Sequence, residues 1–187
     1  MVEAIIWEKQ SVARSGMLDH RKESINGVTL VPAGPAKRLS LRARPDAVAG
    51  LSQALGLELP MRPKSSAAAN GRWALWLGPD EWLVIDAEEG TEAPVFTRVS
   101  GLYSAVEVSH RNAAILVTGP KAADVINAGC PQDLGLSAFP VGACSRTVLG
   151  KIEIVLLRTA PDAFRVECWR SFADYAFSYL SDAARGV

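Results

Sequence analysis

Residues 73–85, WALWLGPDEWLVI, indicate the fold more clearly than any other stretch of this sequence. Two runs rich in aromatic and aliphatic residues flank the segment Gly78-Pro79-Asp80-Glu81. The fixed φ of Pro79 suits the second position of a turn, so the stretch predicts a β-hairpin. A second hairpin is predicted at residues 152–168, where two apolar runs flank Ala160-Pro161-Asp162.

A helix is predicted before each hairpin. Pro45 suits the first turn of one helix and Gly56 its end, while Pro120 opens the other helix and Pro131 follows its end. Residues 38–43 alternate between polar and apolar side chains, which predicts a half-buried strand before the first helix. Residues 106–108 and 113–117 are predicted to be strands before the second helix. The order strand–helix–hairpin therefore occurs twice. It predicts an α+β fold made of two split βαβ-like modules with antiparallel sheets.

The sequence predicts one domain preceded by an arm. Residues 1–36 contain scattered apolar residues with no sustained period, so we expect an extended N-terminal arm. Residues 37–187 form the α+β domain, with pseudo-repeats at about 37–100 and 101–187. Residues 1–72 carry 11 Lys/Arg against 6 Asp/Glu. This excess fits either an exposed irregular segment or a basic arm that lies on another chain.

A C-terminal helix is predicted after the second hairpin. Ser171 is a suitable N-cap, and Asp174 stands three residues later as in a capping box. Apolar residues follow at helical spacing and predict a stripe that faces the core. The residues of this stripe are Phe172, Tyr175, Ala176, Tyr179, Leu180 and Ala183.

Composition excludes several classes of protein. The 187-residue chain has a formal net charge of zero, so no nucleic-acid partner is expected. Its N-terminal region has no apolar run long enough for a signal peptide or a membrane span. Cys130, Cys144 and Cys168 are odd in number and widely spaced, which predicts reduced thiols and a cytoplasmic location without a membrane partner.

The motifs of common catalytic sites are absent from the sequence. It contains no GxGxxG, GxxxxGK[ST], HExxH or GxSxG, and two histidines are too few for a multi-His metal site. Ser109 and His110 are adjacent, and neighbours on a strand point to opposite faces, so we do not expect them to pair. Asp80 and Glu81 are expected to be solvated turn residues. We therefore predict no catalytic, cofactor-binding or metal residues in this chain.

Tryptophan and arginine supply the candidates for an interface. Trp76 and Trp82 are predicted to lie near each other across the first hairpin, where core packing and an interface anchor are the alternatives. Arginines near strand ends, among them Arg111, are either solvated or paired, or bind partner carboxylates. The candidate interface residues are Trp7, Trp76, Trp82 and Arg111, with the arm docked on the same partner.

Several segments together resemble the gamma subunit family of heterotetrameric sarcosine oxidase. They are residues 76–83 (WLGPDEWL), 108–111 (VSHR), 117–123 (VTGPKAA), 129–134 (GCPQDL) and 170–175 (RSFADY). That family is similar to the folate-binding domain of the glycine-cleavage aminomethyltransferase, and the resemblance implies the same fold here.

The resemblance also implies a function and partners. It implies a non-catalytic structural subunit of a complex that oxidatively demethylates sarcosine to glycine and passes the one-carbon unit to tetrahydrofolate. The implied partners are alpha, beta and delta subunits. The implied cofactors, FAD, FMN, NAD and tetrahydrofolate, belong to those partners and none is expected on this chain.

One departure from the aminomethyltransferase pattern bears on folate. The matching strand of those enzymes carries Gly-Gly, two hydrophobic residues and Asp-Asp, and the second Asp contacts folate. Here the stretch 149–154 is LGKIEI, so Glu153 replaces the first acid and Ile154 the second. Ile154 cannot accept a hydrogen bond. The alternative, a free-standing folate-binding aminomethyltransferase-like protein, is therefore less favoured by the sequence.

Overall fold

The computed structural model describes residues 18, 20–86 and 94–187, which form two antiparallel β-sheets and three α-helices. The strands are β1 (Glu23–Ile25), β2 (Val28–Pro32), β3 (Lys37–Ala43), β4 (Ser66–Ala69), β5 (Arg72–Gly78), β6 (Glu81–Asp86), β7 (Tyr103–Glu107), β8 (Asn112–Thr118), β9 (Cys144–Leu149), β10 (Ile152–Ala160) and β11 (Ala163–Trp169). The helices are α1 (Pro45–Leu55), α2 (Ala122–Asn127) and α3 (Ala173–Gly186).

The two sheets pack face to face between outer helices. The first sheet has the order β4-β5-β6-β3-β7, and the second has the order β1-β2-β8-β11-β10-β9. α1 shares an apolar cluster with the first sheet, while α2 and α3 share one with the second. A third cluster joins the sheets and contains Leu75, Leu83 and Ile85 opposite Val155 and Leu157. The layers are therefore helix, sheet, sheet and helix, which is the α+β architecture that the sequence predicts.

The predicted repetition of strand, helix and hairpin is confirmed. β3, α1, β5 and β6 take the same places in the first sheet that β8, α2, β10 and β11 take in the second. The strand that precedes each repeat in the sequence pairs with the other repeat. β2, which precedes β3, pairs with β8, and β7, which precedes β8, pairs with β3. The sheets thus do not follow a division of the chain near residue 100, and the exchange ties the two halves together.

Both predicted hairpins have two-residue turns. Gly78 pairs with Glu81 and Ala160 pairs with Ala163, so each turn consists of a Pro-Asp dipeptide. The predicted start and end of α1 are also found, since Pro45 lies in its first turn and Gly56 caps its end with φ +69°. Glycine adopts this left-handed conformation without the strain that a Cβ would add.

The predicted N-terminal arm is wrong for residues 23–32. They form β1 and β2, and Val28 and Leu30 have 0% and 1% of their surface exposed in the core of the second sheet. The overlooked signal is Asn26-Gly27, whose positive φ angles of 49° and 83° make the tight turn of this hairpin. Residues 1–17 of the predicted arm lie outside the described residues.

Besides β1, two edge strands were not predicted. The stretch 60–71 contains β4, and β9 precedes the second predicted hairpin. Each is the outermost strand of its sheet beside a hairpin strand, since β4 pairs with β5 and β9 pairs with β10. β4 has the sequence SAAA, and such small side chains give no strand periodicity. Backbone pairing with the neighbouring strand, rather than side-chain pattern, therefore determines β4.

The predicted apolar stripe of α3 is shifted by one position. Phe172 and Tyr175, which were expected in the core, are 41% and 38% exposed. Phe172 precedes the helix as its N-cap residue in a short 3-10 turn, and it forms no side-chain cap, so the predicted Ser171 cap is wrong. The buried residues are Ala173, Ala176, Phe177, Leu180, Ser181 and Ala184.

Candidate functional site

The layer between the sheets has an apolar half and a polar half. On β3, Leu39 and Leu41 pack with the cluster beneath α1, so Arg38 and Arg42 lie on the face toward the second sheet. On β11 the apolar residues pack toward α2 and α3, and Arg165 and Glu167 lie on the face toward the first sheet. Regular alternation on two strands therefore brings charged side chains together between the sheets.

A buried ion pair joins the sheets in this polar half. Arg38 donates from Nε to Glu167 Oε2 at 2.7 Å and from Nη2 to Oε1 at 3.1 Å. Only 4% of Arg38 and 1% of Glu167 are exposed. Arg165 also donates from Nε to Glu167 Oε1, at 2.8 Å. The carboxylate is thus held by two guanidinium groups, which makes it a structural link rather than a free base or nucleophile.

A second ion-paired group lies where the first hairpin meets the second sheet. Glu81 accepts hydrogen bonds from Arg42 Nη2 at 2.9 Å and from Arg146 Nη1 at 3.2 Å. The hydrogen bond from Arg146 holds the pKa of Glu81 below its usual range, although burial opposes this shift. The side chain of Glu81 is only 12% exposed, whereas that of Asp80 is 58% exposed. The prediction of a solvated turn residue is therefore wrong for Glu81.

Ser109 and His110 lie in the turn between β7 and β8, not on a strand. Ser109 Oγ accepts a hydrogen bond from the backbone N–H of Arg38 at 2.9 Å and donates to Glu107 Oε1 at 2.9 Å. His110 is exposed. The strand argument against their pairing thus does not apply, but the serine hydroxyl is engaged with the end of β3 and with Glu107.

The structure separates the predicted interface residues. Trp82 is wrong as an interface residue because it is 0% exposed, lies in the cluster beneath α1, and donates from Nε1 to the carbonyl of Pro60 at 2.7 Å. Trp76 pairs directly with Trp82, as predicted, and is half-buried against the same cluster. Trp7 lies outside the described residues. Arg111 is exposed.

Arg111 lies beside a group of exposed aromatic residues that was not predicted from the sequence. Trp169, Phe172 and Tyr175 are 47%, 41% and 38% exposed. The rings of Trp169 and Phe172 stack with centroids 6.1 Å apart, and the Arg111 guanidinium lies 5.5 Å from the Trp169 ring centroid. We call these four residues the aromatic surface. Phe177, left out of the predicted stripe, was the signal that α3 presents another face to the core.

A basic cleft of about 750 Å³ adjoins the aromatic surface. His110 and Arg170, which line the cleft, are next in sequence to Arg111 and Trp169 of the aromatic surface. The backbone N–H of Arg170 also donates to the carbonyl of Arg111 at 2.7 Å. Among the described residues that line the cleft, none is acidic. The basic residues that line it are His20, Arg21, Lys22, Arg38, His110 and Arg170.

The cysteines are all buried and free. Burial raises the pKa of the Cys144 thiol and of the Cys168 thiol to about 12. These groups are therefore protonated and unreactive in the folded protein near neutral pH.

Residues 18, 20–86 and 94–187 contain no cluster of three metal-binding side chains. No helix in the same part of the chain is long and apolar enough to cross a membrane.

Comparison with known sequences identifies one family. The model of the "Sarcosine oxidase, gamma subunit family" matches residues 41–186. The sarcosine oxidase subunit gamma of an Arthrobacter species is 33% identical over 153 residues, which cover 79% of this chain and 75% of that protein. The subunit gamma of Corynebacterium sp. strain U-96 is 32% identical over 163 residues, which cover 83% and 78%.

Solved structures give the same family match and a second match in fold. A chain of the heterotetrameric sarcosine oxidase from Corynebacterium sp. U-96, in complex with pyrrole 2-carboxylate, superposes with a TM-score of 0.79 and 27% identity. The match covers 92% of this chain and 95% of that one. The aminomethyltransferase T of Bartonella henselae superposes with a TM-score of 0.60 and 14% identity, over 85% of this chain and 46% of that enzyme. At this identity the second match shows a shared fold alone, which is the fold predicted from the sequence.

Proposed function

This chain belongs to the sarcosine oxidase gamma subunit family, and we propose that it is a non-catalytic structural subunit of a heterotetrameric sarcosine oxidase. The observation that carries the proposal is the structural match over 92% of this chain to a chain of such a heterotetramer. The partners are then the alpha, beta and delta subunits. The complex oxidises sarcosine to glycine and passes the one-carbon unit to tetrahydrofolate.

The arrangement of polar groups supports a structural role. Glu167 is bound by two arginines, Glu81 is bound by Arg42 and Arg146, and Ser109 is bound to backbone and carboxylate. A general base or nucleophile needs a free lone pair within reach of a substrate. These three groups instead stabilise the contact between the sheets and the turn after β7. The flavin, nicotinamide and folate chemistry is accordingly assigned to the larger subunits.

The position that corresponds to a folate-binding acid also supports this role. Ile154 is 1% exposed and lies in the apolar cluster between the second sheet and the helices. Glu153, on the other side of the strand, has a side chain that is 56% exposed and lies 4.0 Å from Arg146. This pair of residues thus offers one surface carboxylate and one core side chain.

The test compares the assembled enzyme with the chain alone. The larger subunits are co-expressed with and without this chain, and flavin content, thermal stability and sarcosine-dependent peroxide formation are measured. We expect the isolated chain to be colourless and inactive and to co-purify with the larger subunits. Asp80→Asn and Glu153→Gln in the complex should leave the turnover number unchanged. Sarcosine turnover by the isolated chain, or loss of turnover in either variant of an intact complex, would refute the non-catalytic role.

Folate binding separates this proposal from the free-standing alternative. Calorimetry of the isolated chain with a reduced folate should give no heat of binding. The same titration of the assembled complex is the positive control. A micromolar dissociation constant for the isolated chain would favour the folate-binding aminomethyltransferase-like protein instead.

A further inference from the structure

We propose that the aromatic surface and the adjoining basic cleft form the docking site for an acidic, partly apolar segment of a larger subunit. The inference rests on the proposed function and identifies the surface through which the chain assembles. Trp169, Phe172 and Tyr175 are exposed within one stretch of seven residues at the junction of β11 and α3. Tryptophan, tyrosine and arginine are the residues that dominate the binding energy of protein interfaces.

The side chains of the aromatic surface are held in place by the protein itself. The Trp169–Phe172 stack and the bond between the Arg170 N–H and the Arg111 carbonyl fix one end. At the other end, the Tyr175 hydroxyl accepts a hydrogen bond from the Lys151 N–H at 3.3 Å. A Cβ at Gly150 would lie 2.5 Å from this hydroxyl, so the glycine leaves room for the tyrosine. A surface that is ordered before binding loses little side-chain entropy when a partner covers it.

The charges on this surface indicate which kind of partner segment it binds. Within the described part of the chain, Arg111 has no salt bridge to a carboxylate, and its guanidinium lies over the Trp169 ring. None of the described residues that line the cleft beside it is acidic. Arg21 and Arg38 are paired with Asp174 and Glu167. Lys22, which is exposed and has no carboxylate partner in the described part of the chain, therefore supplies positive charge to a partner segment. A partner segment with carboxylates toward Arg111 and the cleft, and apolar side chains toward Trp169 and Phe172, complements both features.

The experiment uses the assembled complex. Complexes are purified through a tag on a larger subunit and diluted, and mass photometry measures the fraction that retains this chain. Trp169→Ala combined with Phe172→Ala, and separately Arg111→Glu, should weaken the association by about tenfold or more. Arg111→Lys should have an intermediate effect because it keeps the charge but loses the planar stacking. Leu102→Ala and Leu136→Ala, which remove other exposed apolar side chains, are the controls and should match the wild type.

Each outcome decides between defined alternatives. Arg111→Glu alters an exposed side chain, so it provides the test even if the double variant does not fold. If both variants are retained like the wild type, the docking surface is wrong and the structural-subunit proposal stands. If the wild-type chain does not associate with the larger subunits, both proposals fail. If sedimentation of the isolated chain shows a homodimer that Trp169→Ala/Phe172→Ala abolishes, the occupant is a second copy and the proposal is overturned.

Discussion

Two tryptophans, one in the first hairpin and one at the end of the second, have opposite environments. Trp82 on β6 is fully buried beneath α1, and its indole N–H is satisfied by the carbonyl of Pro60. Trp169 at the end of β11 is 47% exposed, and its ring contacts Phe172 and Arg111. The difference shows that an excess of tryptophan does not locate an interface by itself. The layer that covers each strand face decides whether an aromatic ring belongs to the core or to a docking surface.

Replacement of the buried tryptophan tests this comparison with the largest expected effect. Trp82→Ala should lower the free energy of unfolding by about 3–5 kcal/mol, because it leaves a cavity and an unpaired carbonyl. Urea denaturation of the purified chain measures the change. Trp82→Phe is the matched control and should cost less, since it keeps most of the apolar volume. A loss below about 1 kcal/mol for Trp82→Ala would contradict the buried role.

Glu167, which forms the buried ion pair with Arg38, allows the same comparison within a single strand, β11. Glu167 and Trp169 lie on the same face two residues apart, but Glu167 is buried. Glu167→Ala should lower the free energy of unfolding by about 3–5 kcal/mol because it leaves two arginines without their carboxylate. Glu153→Ala, at an exposed carboxylate on the neighbouring strand, is the control and should change stability little. Equal unfolding curves for the two variants would show that the buried pair does not hold the sheets together.

The pH dependence of stability compares the two carboxylates of the first hairpin. The pKa of Glu81 is lowered from its ordinary value of 4.5, so the carboxylate stabilises the fold above that pH. This contribution should be lost as the pH falls below 4.5 and through the folded pKa. Because Arg146 is partly exposed, we expect the loss to be at most about 1 kcal/mol.

Two variants isolate this contribution. Glu81→Gln should remove that part of the acid destabilisation, measured as the urea midpoint from pH 6 down to pH 3. Asp80→Asn, at the exposed neighbour, should leave the decrease of the urea midpoint with falling pH as in the wild type. If the urea midpoint of Glu81→Gln decreased with falling pH as much as that of the wild type, the Arg146 hydrogen bond would not contribute to stability.

The exposed tryptophan should give the smallest effect on folding. Trp169→Ala should change the free energy of unfolding of the isolated chain by less than about 0.5 kcal/mol, as is usual for surface positions. Urea denaturation, run beside Trp82→Ala, measures this directly. Destabilisation similar to that of Trp82→Ala would place Trp169 in the core and remove the contrast between the two residues.

The sequence alone determined the repeated strand–helix–hairpin order, the Pro-Asp turns and the start and end of α1. These features depend on local physical constraints, namely the fixed φ of proline, the conformational freedom of glycine and side-chain periodicity. They were predicted correctly because each acts over a few residues. The Asn26-Gly27 turn had the same local character and was overlooked, so the strands that it joins were assigned to an arm.

Only the tertiary structure decided which faces are covered. The alternation on β3 predicted a half-buried strand, but the second sheet covers the polar face and buries Arg38 against Glu167. Likewise, the periodicity of α3 predicted one apolar stripe, but packing of Ala173, Ala176 and Phe177 in the core places the buried face one position further along the chain. Side-chain periodicity specifies that a strand or helix has two faces. Which face meets protein and which meets solvent depends on residues distant in the sequence, and their position follows from the whole fold.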